Sequence, residues 1–377
     1  MNRANTLALA IFLASVAPVQ GEARKTGKLD NGLERLLYVT GRSGISVYDI
    51  NDSHKLLSKI DVPETGGYYG IAASPQLGLL YLSSNVKRDM VALDITTEQI
   101  VWRNNHARFP DSFMVTPDGK TLYVPYRDED FWLVLNAADG AVKAKITVAT
   151  GENYTDGWSI GSIGPHNTWI NPSGSRVYMQ VLTVPYLFIA DTETNKIIGK
   201  IGPFSLGLRP FTVTTDEKYA FANIDRLLGF EVGAVRDGKK WGGKMLYRVE
   251  AKTPASRFEQ IPNPPARKPH STLSHGINIR PDQKEVWVVD GIYGYVYAYD
   301  VTVMPPKHVA SIALFQDPKE RPQPGWICFG IDGRYAYPDG GAVIDTQTKK
   351  VVARIPTSEK LIEIDFRDGK PVKASTR

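Results

Sequence analysis

One pattern of apolar and polar positions recurs from one end of the chain to the other. An apolar stretch is followed by a turn of Pro, Asp, Gly and Ser, then by a second apolar stretch rich in Tyr, and later by a strand that ends in an acid. Copies of the first part occupy residues 71–82, 113–124, 169–179 and 277–288. Four strands in a repeat of about 40 to 45 residues are typical of a β-propeller blade. The pattern therefore predicts an all-β propeller with four-stranded antiparallel blades.

The acid at the strand end predicts the number of blades. An acid, or Asn in one blade, recurs at seven positions, which are Asp49, Asp94, Asn136, Asp191, Glu231, Asp300 and Asp345. The first unit lacks its opening strand, whereas the stretch Leu361–Phe366 follows a seventh unit that is already complete. Because closing the ring removes exposed strand edges, we expect this C-terminal strand to complete the first blade beside residues 36–40. The fold prediction is thus a closed seven-bladed propeller.

Three connections between blades are much longer than the others. They comprise residues 149–165, 252–274 and 316–324, and each leads from the outermost strand of one blade to the innermost strand of the next. Connections of this kind lie on the face that holds the channel mouth. Long loops in a compact domain usually carry function. We therefore expect the first two to roof a binding site at the mouth.

Residues that lie the same number of positions before the first turn of their blade should lie at the same height along the channel. Six residues before that turn, where each innermost strand begins, the blades carry Tyr69, Asp111, His166, Arg209, His275, Gly325 and Leu361. The next position contributes Asn167 and Trp326. The chain has six histidines, and two of them share this register. This coincidence predicts a ligand site at the channel mouth.

The residue types of this register indicate an anionic ligand. The guanidinium of Arg209 matches a carboxylate or a phosphate. His166 and His275 can exchange protons near neutral pH, which is the role of a general acid and base. We expect Asp111 and Asn167 to contact the ligand as well, and Tyr69 and Trp326 to stack on a sugar ring or another flat group.

A metal site is the competing interpretation of the same residues. Asp111, His166 and His275 are residue types that bind divalent metals. Arg209 among them would repel a cation, so the metal ranks second. The sequence contains no motif that requires a cofactor, and we expect none to be needed.

The first residues predict export. Residues 1–23 combine a basic start, an apolar stretch at 7–16 and small residues before the end, as in a secretory signal peptide. We expect a single domain over residues 24–377, a periplasmic or secreted location, and no transmembrane segment after cleavage. Cys328 is the one cysteine, so no internal disulfide can form, and its apolar neighbours predict a buried thiol. The net charge is +5, but the basic residues are dispersed, which argues against dedicated nucleic-acid binding.

Three phrases resemble the YVTN-repeat propellers, a group that includes the lactonase-type propellers. They are VTPDGKTLYV at Val115–Val124, NPSGSRVY at Asn171–Tyr178 and IDTQTKKVV at Ile344–Val352. The segment Gly164–His166 is similar to the Gly-Pro-Arg-His segment of lactonase-type propellers, although the arginine is missing here. The resemblance implies a seven-bladed propeller with polar residues at the channel mouth. Quinone-dependent amine dehydrogenase heavy chains share this architecture, but no redox-cofactor motif appears in this chain.

Two functional hypotheses follow from these observations. The first is binding of a small molecule or glycan, anionic in character, at the channel mouth, with a second role as a scaffold for another exported protein. The second is a lactonase-like hydrolase or a lyase in which His166 and His275 act as acid and base and Arg209 anchors the substrate's anionic group.

Overall fold

Seven antiparallel sheets form the blades of a β-propeller in the part of the chain that the computed structural model describes, namely residues 27, 29, 32–41, 44–63, 67–148, 164–262, 273–356 and 360–376. Blade 1 begins with β1 (Glu34–Thr40), β2 (Gly44–Asp49) and β3 (Lys55–Asp61). Blade 2 contains β4 (Tyr68–Ser74), β5 (Leu79–Ser84), β6 (Asp89–Asp94) and β7 (Ile100–Asn105). Blade 3 contains β8 (Met114–Val115), β9 (Thr121–Pro125), β10 (Phe131–Asn136) and β11 (Val142–Thr147). Blade 4 contains β12 (Pro165–Ile170), β13 (Arg176–Val181), β14 (Leu187–Asp191) and β15 (Lys196–Ile201).

The remaining blades follow the same plan with one insertion. Blade 5 contains β16 (Leu208–Val213), β17 (Tyr219–Ile224), β18 (Gly229–Ala234) and β21 (Met245–Glu250), and a small ribbon of β19 (Arg236–Asp237) and β20 (Lys240–Trp241) interrupts it. A short helix, α1 (Ala255–Gln260), precedes blade 6, which contains β22 (Ile277–Ile279), β23 (Glu285–Val289), β24 (Tyr295–Asp300) and β25 (Lys307–Ala313). Blade 7 contains β26 (Ile327–Phe329), β27 (Tyr335–Pro338), β28 (Ala342–Asp345) and β29 (Lys350–Arg354). The chain ends with β30 (Leu361–Arg367) and β31 (Lys370–Ala374).

The C-terminal strand closes the ring as the sequence predicted. β30 pairs antiparallel with β1, so that Leu36 lies opposite Ile364 and Tyr38 opposite Ile362. β31 was not predicted. It adds a fifth strand on the inner side of β30, giving the order β3-β2-β1-β30-β31, and its residues from Val372 onward line the central channel.

The acids at the strand ends cap the hairpins that follow them. Asp94 Oδ1 accepts hydrogen bonds from the backbone N–H groups of Thr96 and Thr97, at 2.8 and 2.6 Å. In the same way, hydrogen bonds from Thr348 hold the pKa of Asp345 below its usual value. The backbone N–H groups of the hairpin need a side-chain acceptor at this position, which explains why an acid or Asn recurs there.

One of these acids, the fifth in chain order, was assigned wrongly. Glu231 lies inside β18 and not at its end. Its carboxylate accepts a hydrogen bond from the N–H of Ser205 at 2.9 Å and lies 3.4 Å from the guanidinium of Arg248. β18 continues to Ala234 and leads into the inserted ribbon, so blade 5 has no capped hairpin at that position. The count of seven blades is nevertheless right.

The Tyr-rich stretch of the repeat is the second strand of its blade, and its aromatic side chains fill the space between neighbouring sheets. Tyr81, Tyr123, Tyr178 and Tyr337 are at most 1% exposed. Cys328 in β26 is buried too, as predicted. The predicted signal peptide at residues 1–23 lies outside the described residues. Among those that are described, no helix is both long and apolar enough to cross a membrane.

Arg257 of α1 fastens two of the long connections together. Its guanidinium donates hydrogen bonds to the backbone carbonyls of Tyr293, Pro318 and Glu320. It also stacks on Phe315, with 3.6 Å between the guanidinium carbon and the ring centre. The connection at 316–324 is therefore held in place by the connection at 252–274.

Candidate functional site

The predicted residues lie at the beginnings of the innermost strands, as their common register required. Tyr69, His166 and Arg209 lie within β4, β12 and β16, while Asp111 and His275 lie just before β8 and β22. Tyr69 is partly exposed, and the other four side chains are buried. Whether these residues bind a ligand stays a prediction.

Asp111, His166 and His275 form one contiguous group. Asp111 Oδ2 lies 3.7 Å from Nε2 of His166, which is within ion-pair distance when the imidazole is protonated. The ring centres of His166 and His275 are 6.2 Å apart, with 65° between the ring planes. The two imidazoles come from blades 4 and 6, so they approach each other across the beginning of blade 5.

Arg209 is held by a carboxylate of its own blade. Its Nε donates a hydrogen bond of 2.6 Å to Oδ1 of Asp225, which follows β17, and both side chains are at most 2% exposed. Removing either partner of such a buried pair would leave the other as an uncompensated buried charge, so the pair has a structural role. Asp225 therefore competes with any ligand for the guanidinium of Arg209, which goes against the expectation that Arg209 anchors the ligand directly.

Arg127 is a further cation at the channel mouth, at a position that the register of the innermost strands did not include. Its Nε lies 3.3 Å from Oδ2 of Asp111, and its guanidinium carbon is 5.4 Å from the centre of the Tyr69 ring. The side chain is 16% exposed, more than that of Arg209. Asp111 thus lies between a guanidinium and an imidazole.

Backbone groups fix the positions of several rim residues. His275 Nδ1 is 2.9 Å from the carbonyl of Gly325, so the imidazole of blade 6 is tied to the entry of blade 7. Asn167 donates from Nδ2 to Oε1 of Gln180 at 2.8 Å, and Gln180 donates to the carbonyl of Leu208 at 2.7 Å. Asn167 is buried and orients Gln180, which connects blades 4 and 5, so its side chain already has a structural role.

Two glycines allow neighbouring blades to approach closely at the mouth. A Cβ on Gly70 would lie 2.7 Å from the ring of Phe113, and one on Gly276 would lie 2.9 Å from Cα of Trp326. Any larger residue would push the neighbouring strand away. These glycines therefore help to place Phe113 and Trp326 in the channel wall.

A cavity of about 470 Å³ occupies the channel next to this polar group. Tyr69, Ser112 and Trp326 line it, whereas Asp111, His166, Arg209 and His275 do not. Nζ of Lys360 lies 3.6 Å from the centre of the Trp326 ring at the same rim. The two predicted aromatic residues thus face the cavity, and the ionisable residues lie behind its wall.

The arrangement gives no support to a metal ion. Within the described part of the chain, no three side chains of His, Cys, Asp and Glu are grouped so that they could hold one. Arg127, which lies against Asp111, would also repel a cation. The predicted roof of the site cannot be placed, because residues 149–163 and 263–272 lie outside the described residues.

Sequence reasoning missed Arg127, Asp225 and Lys360. Arg127 and Asp225 stand at equivalent places, just after the second strand of blades 3 and 5. Asp290 and Asp339 likewise follow directly after the second strands of blades 6 and 7, and Asp339 Oδ1 accepts a hydrogen bond of 2.8 Å from the N–H of Trp326. The second strand ends at the height where the first begins, so the same register argument would have found them.

No protein-family model matches the chain, and no curated protein sequence matches it. Solved structures do match. Periplasmic gluconolactonase from Pseudomonas aeruginosa aligns with a TM-score of 0.63 and 14% identity over 91% of this chain and 98% of that one. Hydrazine synthase from Kuenenia stuttgartiensis gives 0.61 and 14% over 93% and 100%. The propeller domain of Swd1 from Myceliophteria thermophila gives 0.58 and 9% over 86% and 97%.

Identities this low show the fold and nothing finer. They confirm that the chain is a propeller that resembles the lactonase-type propellers. The three structures have quite different names, which fits the general rule that propellers host unrelated functions. The function must therefore be argued from the site.

Proposed function

We propose that the channel mouth binds a small anionic molecule. The observation that carries this proposal is the convergence of Arg127, Asp111, His166 and His275 beside a cavity whose rim also holds Lys360. Tyr69 is partly exposed and offers an aromatic face to whatever enters, as expected for a sugar acid or an aromatic acid, and Trp326 lines the same cavity. Arg127, partly exposed, is the anion anchor in this proposal, and Arg209 supports the rim through Asp225.

Replacing Arg127 with Gln should weaken the binding of an anion by about tenfold or more, since a charge-assisted hydrogen bond typically contributes about 1.5–3 kcal/mol. Isothermal titration calorimetry with gluconate as the probe measures the change, and a melting curve checks that the variant is folded. The matched control is Arg248→Gln, because Arg248 also pairs with carboxylates but lies on the outermost strand. Equal affinity in wild type and Arg127→Gln would contradict the assignment of this anchor.

Hydrolysis of a lactone is the second candidate, and the proximity of the two imidazoles favours it. In this reaction, the oxygen of water bonds to the lactone carbonyl carbon, the ring C–O bond breaks, and the proton lost by the water ends on the leaving oxygen. His166, beside Asp111, would accept that proton, and His275 would return one to the leaving oxygen. The similarity in fold to a periplasmic gluconolactonase is consistent with this candidate.

His166→Asn should reduce lactone hydrolysis by about a hundredfold, the lower end of what general acid–base groups contribute, while leaving gluconate binding in place. The rate of acid release from glucono-δ-lactone, corrected for the spontaneous reaction, measures this. His308→Asn is the control, because His308 is exposed on β25. A wild-type rate no faster than the spontaneous one would exclude lactone hydrolysis and leave anion binding as the function.

Export to the periplasm completes the proposal. The composition of residues 1–23 supports it, as does the similarity to a periplasmic protein of the same fold. The intact mass of protein from the periplasmic fraction should correspond to a start between Pro18 and Arg24. Full-length protein confined to the cytoplasm would contradict this.

A further inference from the structure

The ribbon of β19 and β20 is an insertion that interrupts blade 5 on the face opposite the channel mouth. It lies between β18 and β21, where the other blades connect their third and fourth strands by short turns. The innermost strand begins at the mouth and the chain reverses at each hairpin, so the connection after a third strand lies at the other end of the channel. The ribbon is therefore remote from the proposed anion site.

The ribbon packs tightly against the outermost strand of blade 4. A Cβ on Gly199 of β15 would collide with the carbonyl oxygen of Trp241, and a Cβ on Gly242 would collide with the carbonyl oxygen of Lys200. The two backbones are therefore in direct contact, which glycine permits because it has no side chain.

The side chain of Trp241 also connects the ribbon to blade 4. The guanidinium carbon of Arg176, in β13, lies 4.3 Å from the ring centre, and that of Arg236 lies 3.4 Å from it. Arg176 is itself paired with Glu217. The ribbon is therefore an ordered projection of the surface.

Residues 236–244 carry a local excess of positive charge. They contain four cations and one acid, all exposed, which are Arg236, Lys239, Lys240, Lys244 and Asp237. Asp237 lies opposite Lys240 and offsets one charge. Among the residues that the structure describes, none of these four cations forms an ion pair with a carboxylate. The fold therefore leaves these charges to water or to a partner.

The adjoining strands add exposed apolar side chains to this surface. Ile197 and Ile198 of β15 are each 38% exposed, and Leu246 of β21, two residues after the ribbon, is 42% exposed. β15 and the hairpin before it contribute two further exposed cations and one exposed acid, which are Lys196, Lys200 and Glu193. Lysines interspersed with exposed apolar side chains are typical of surfaces that lie on a membrane.

We infer that this surface binds the anionic headgroups of a phospholipid membrane. The lysines of the ribbon lie near the lipid phosphates, and Leu246 and Ile198 reach the boundary between headgroups and acyl chains. A protein partner fits less well, since protein interfaces are depleted of lysine. With the ribbon on the membrane, the channel mouth on the opposite face stays open to its ligand.

Covering the edge of β15 is a purely structural task that the ribbon also performs. That task uses the backbone contacts at Gly199 and Gly242 and the ring of Trp241, but it does not use the lysine side chains. Substituting the lysines therefore separates membrane binding from protection of the strand edge.

Sedimentation of the mature protein with vesicles tests this inference. The protein should bind vesicles of equal parts phosphatidylglycerol and phosphatidylcholine, and it should not bind vesicles of phosphatidylcholine alone. Each lysine near an anionic bilayer raises partitioning by about fivefold. Replacing Lys239, Lys240 and Lys244 together with Gln should therefore lower it by about a hundredfold. Added salt should weaken the binding of the wild type more than that of this ribbon variant.

The matched control replaces three exposed lysines of blades 1 to 3 with Gln, namely Lys59, Lys87 and Lys143. It has the same net charge as the ribbon variant, so it measures the effect of overall charge, and its partitioning should fall by less than about tenfold. Melting curves check that both variants are folded. The ribbon variant should keep the wild-type affinity for gluconate, because the ribbon lies on the face opposite the mouth.

A second pair of variants tests the apolar contribution. Leu246→Ser should lower partitioning into the anionic vesicles by about threefold. Val352→Ser is the control, because Val352 is 53% exposed on the outermost strand of blade 7, and it should leave partitioning unchanged.

The outcomes separate this inference from its alternatives and from the proposed function. Equal binding to both kinds of vesicle, or an equal loss in the two lysine variants, would overturn it. If the protein binds no vesicles but binds soluble polyglutamate, and the ribbon variant loses that binding, the surface takes an acidic protein and the inference fails. Loss of gluconate binding at the mouth bears on the proposed function alone.

Discussion

Deleting residues 360–377 should leave the protein without a cooperative unfolding transition. The deletion removes β30, and with it the pairing partner of β1 and the apolar contacts that Ile362, Ile364 and Phe366 make with the core of the first blade. It also removes Glu363, whose Oε1 lies 2.8 and 2.7 Å from two nitrogens of the buried Arg35. Removing one partner of a buried ion pair typically costs about 3–5 kcal/mol, a large part of the about 5–15 kcal/mol that stabilises a domain. Asp332, which stays 2.8 Å from Nη1 of Arg35, offsets part of this cost, so the lost strand pairing and apolar contacts carry the rest of the effect.

A shorter deletion provides the control for this experiment. Removing residues 368–377 takes away β31 but leaves β30 paired with β1, so we expect a folded protein with a lower but still cooperative melting transition. Circular dichroism during heating measures both variants. An unchanged melting temperature after the longer deletion would show that β30 does not close the ring, and loss of folding after the shorter one would make β31 essential.

The fold was predictable because its signals are local and repeated. Hairpin turns need particular residues, such as Asp94 and Asp345, and the second strands need large apolar side chains, such as Tyr123, to fill the space between sheets. Repetition of these signals around the ring compensates for the weakness of each copy. Ring closure followed from a missing strand at one end and a surplus strand at the other.

The elements that were not predicted lack such repetition. β31 contains Lys370 and Lys373 and leaves half of the Val372 side chain exposed, so its sequence has no alternation that would distinguish it from a tail. Glu231 has the residue type of a hairpin cap, yet its partners are distant in sequence. Position along a repeat does not reveal such partners.

The sequence predicted the height of the candidate site along the channel, but not which of its side chains pair with each other. The register placed His166 and His275 at one rim, and the structure brings them within 6.2 Å. The register was applied only to the innermost strands, so it did not show that Arg209 pairs with Asp225 or that Arg127 lies against Asp111, because Asp225 and Arg127 stand just after second strands. Each hairpin brings the end of the second strand next to the beginning of the first, although the two are separated in sequence by the length of both strands.

Arg209→Met should lower the free energy of unfolding by about 3–5 kcal/mol, because it leaves the buried carboxylate of Asp225 without the guanidinium that now contacts it. Urea denaturation at neutral pH measures the loss. The double variant Arg209→Met with Asp225→Leu removes both charges, so it should recover most of the stability that the single variant loses.

Arg248→Met is the matched control for this experiment, since Arg248 also pairs with a carboxylate, Glu231, but is 43% exposed. Exposed pairs typically contribute about 0–1 kcal/mol, so this variant should remain close to wild type. The same measurement decides between two roles for Arg209. If Arg209→Met costs less than about 1 kcal/mol and abolishes anion binding, Arg209 is the ligand anchor. A large loss of stability that the double variant reverses assigns Arg209 to the framework of the rim and keeps Arg127 as the proposed anion anchor.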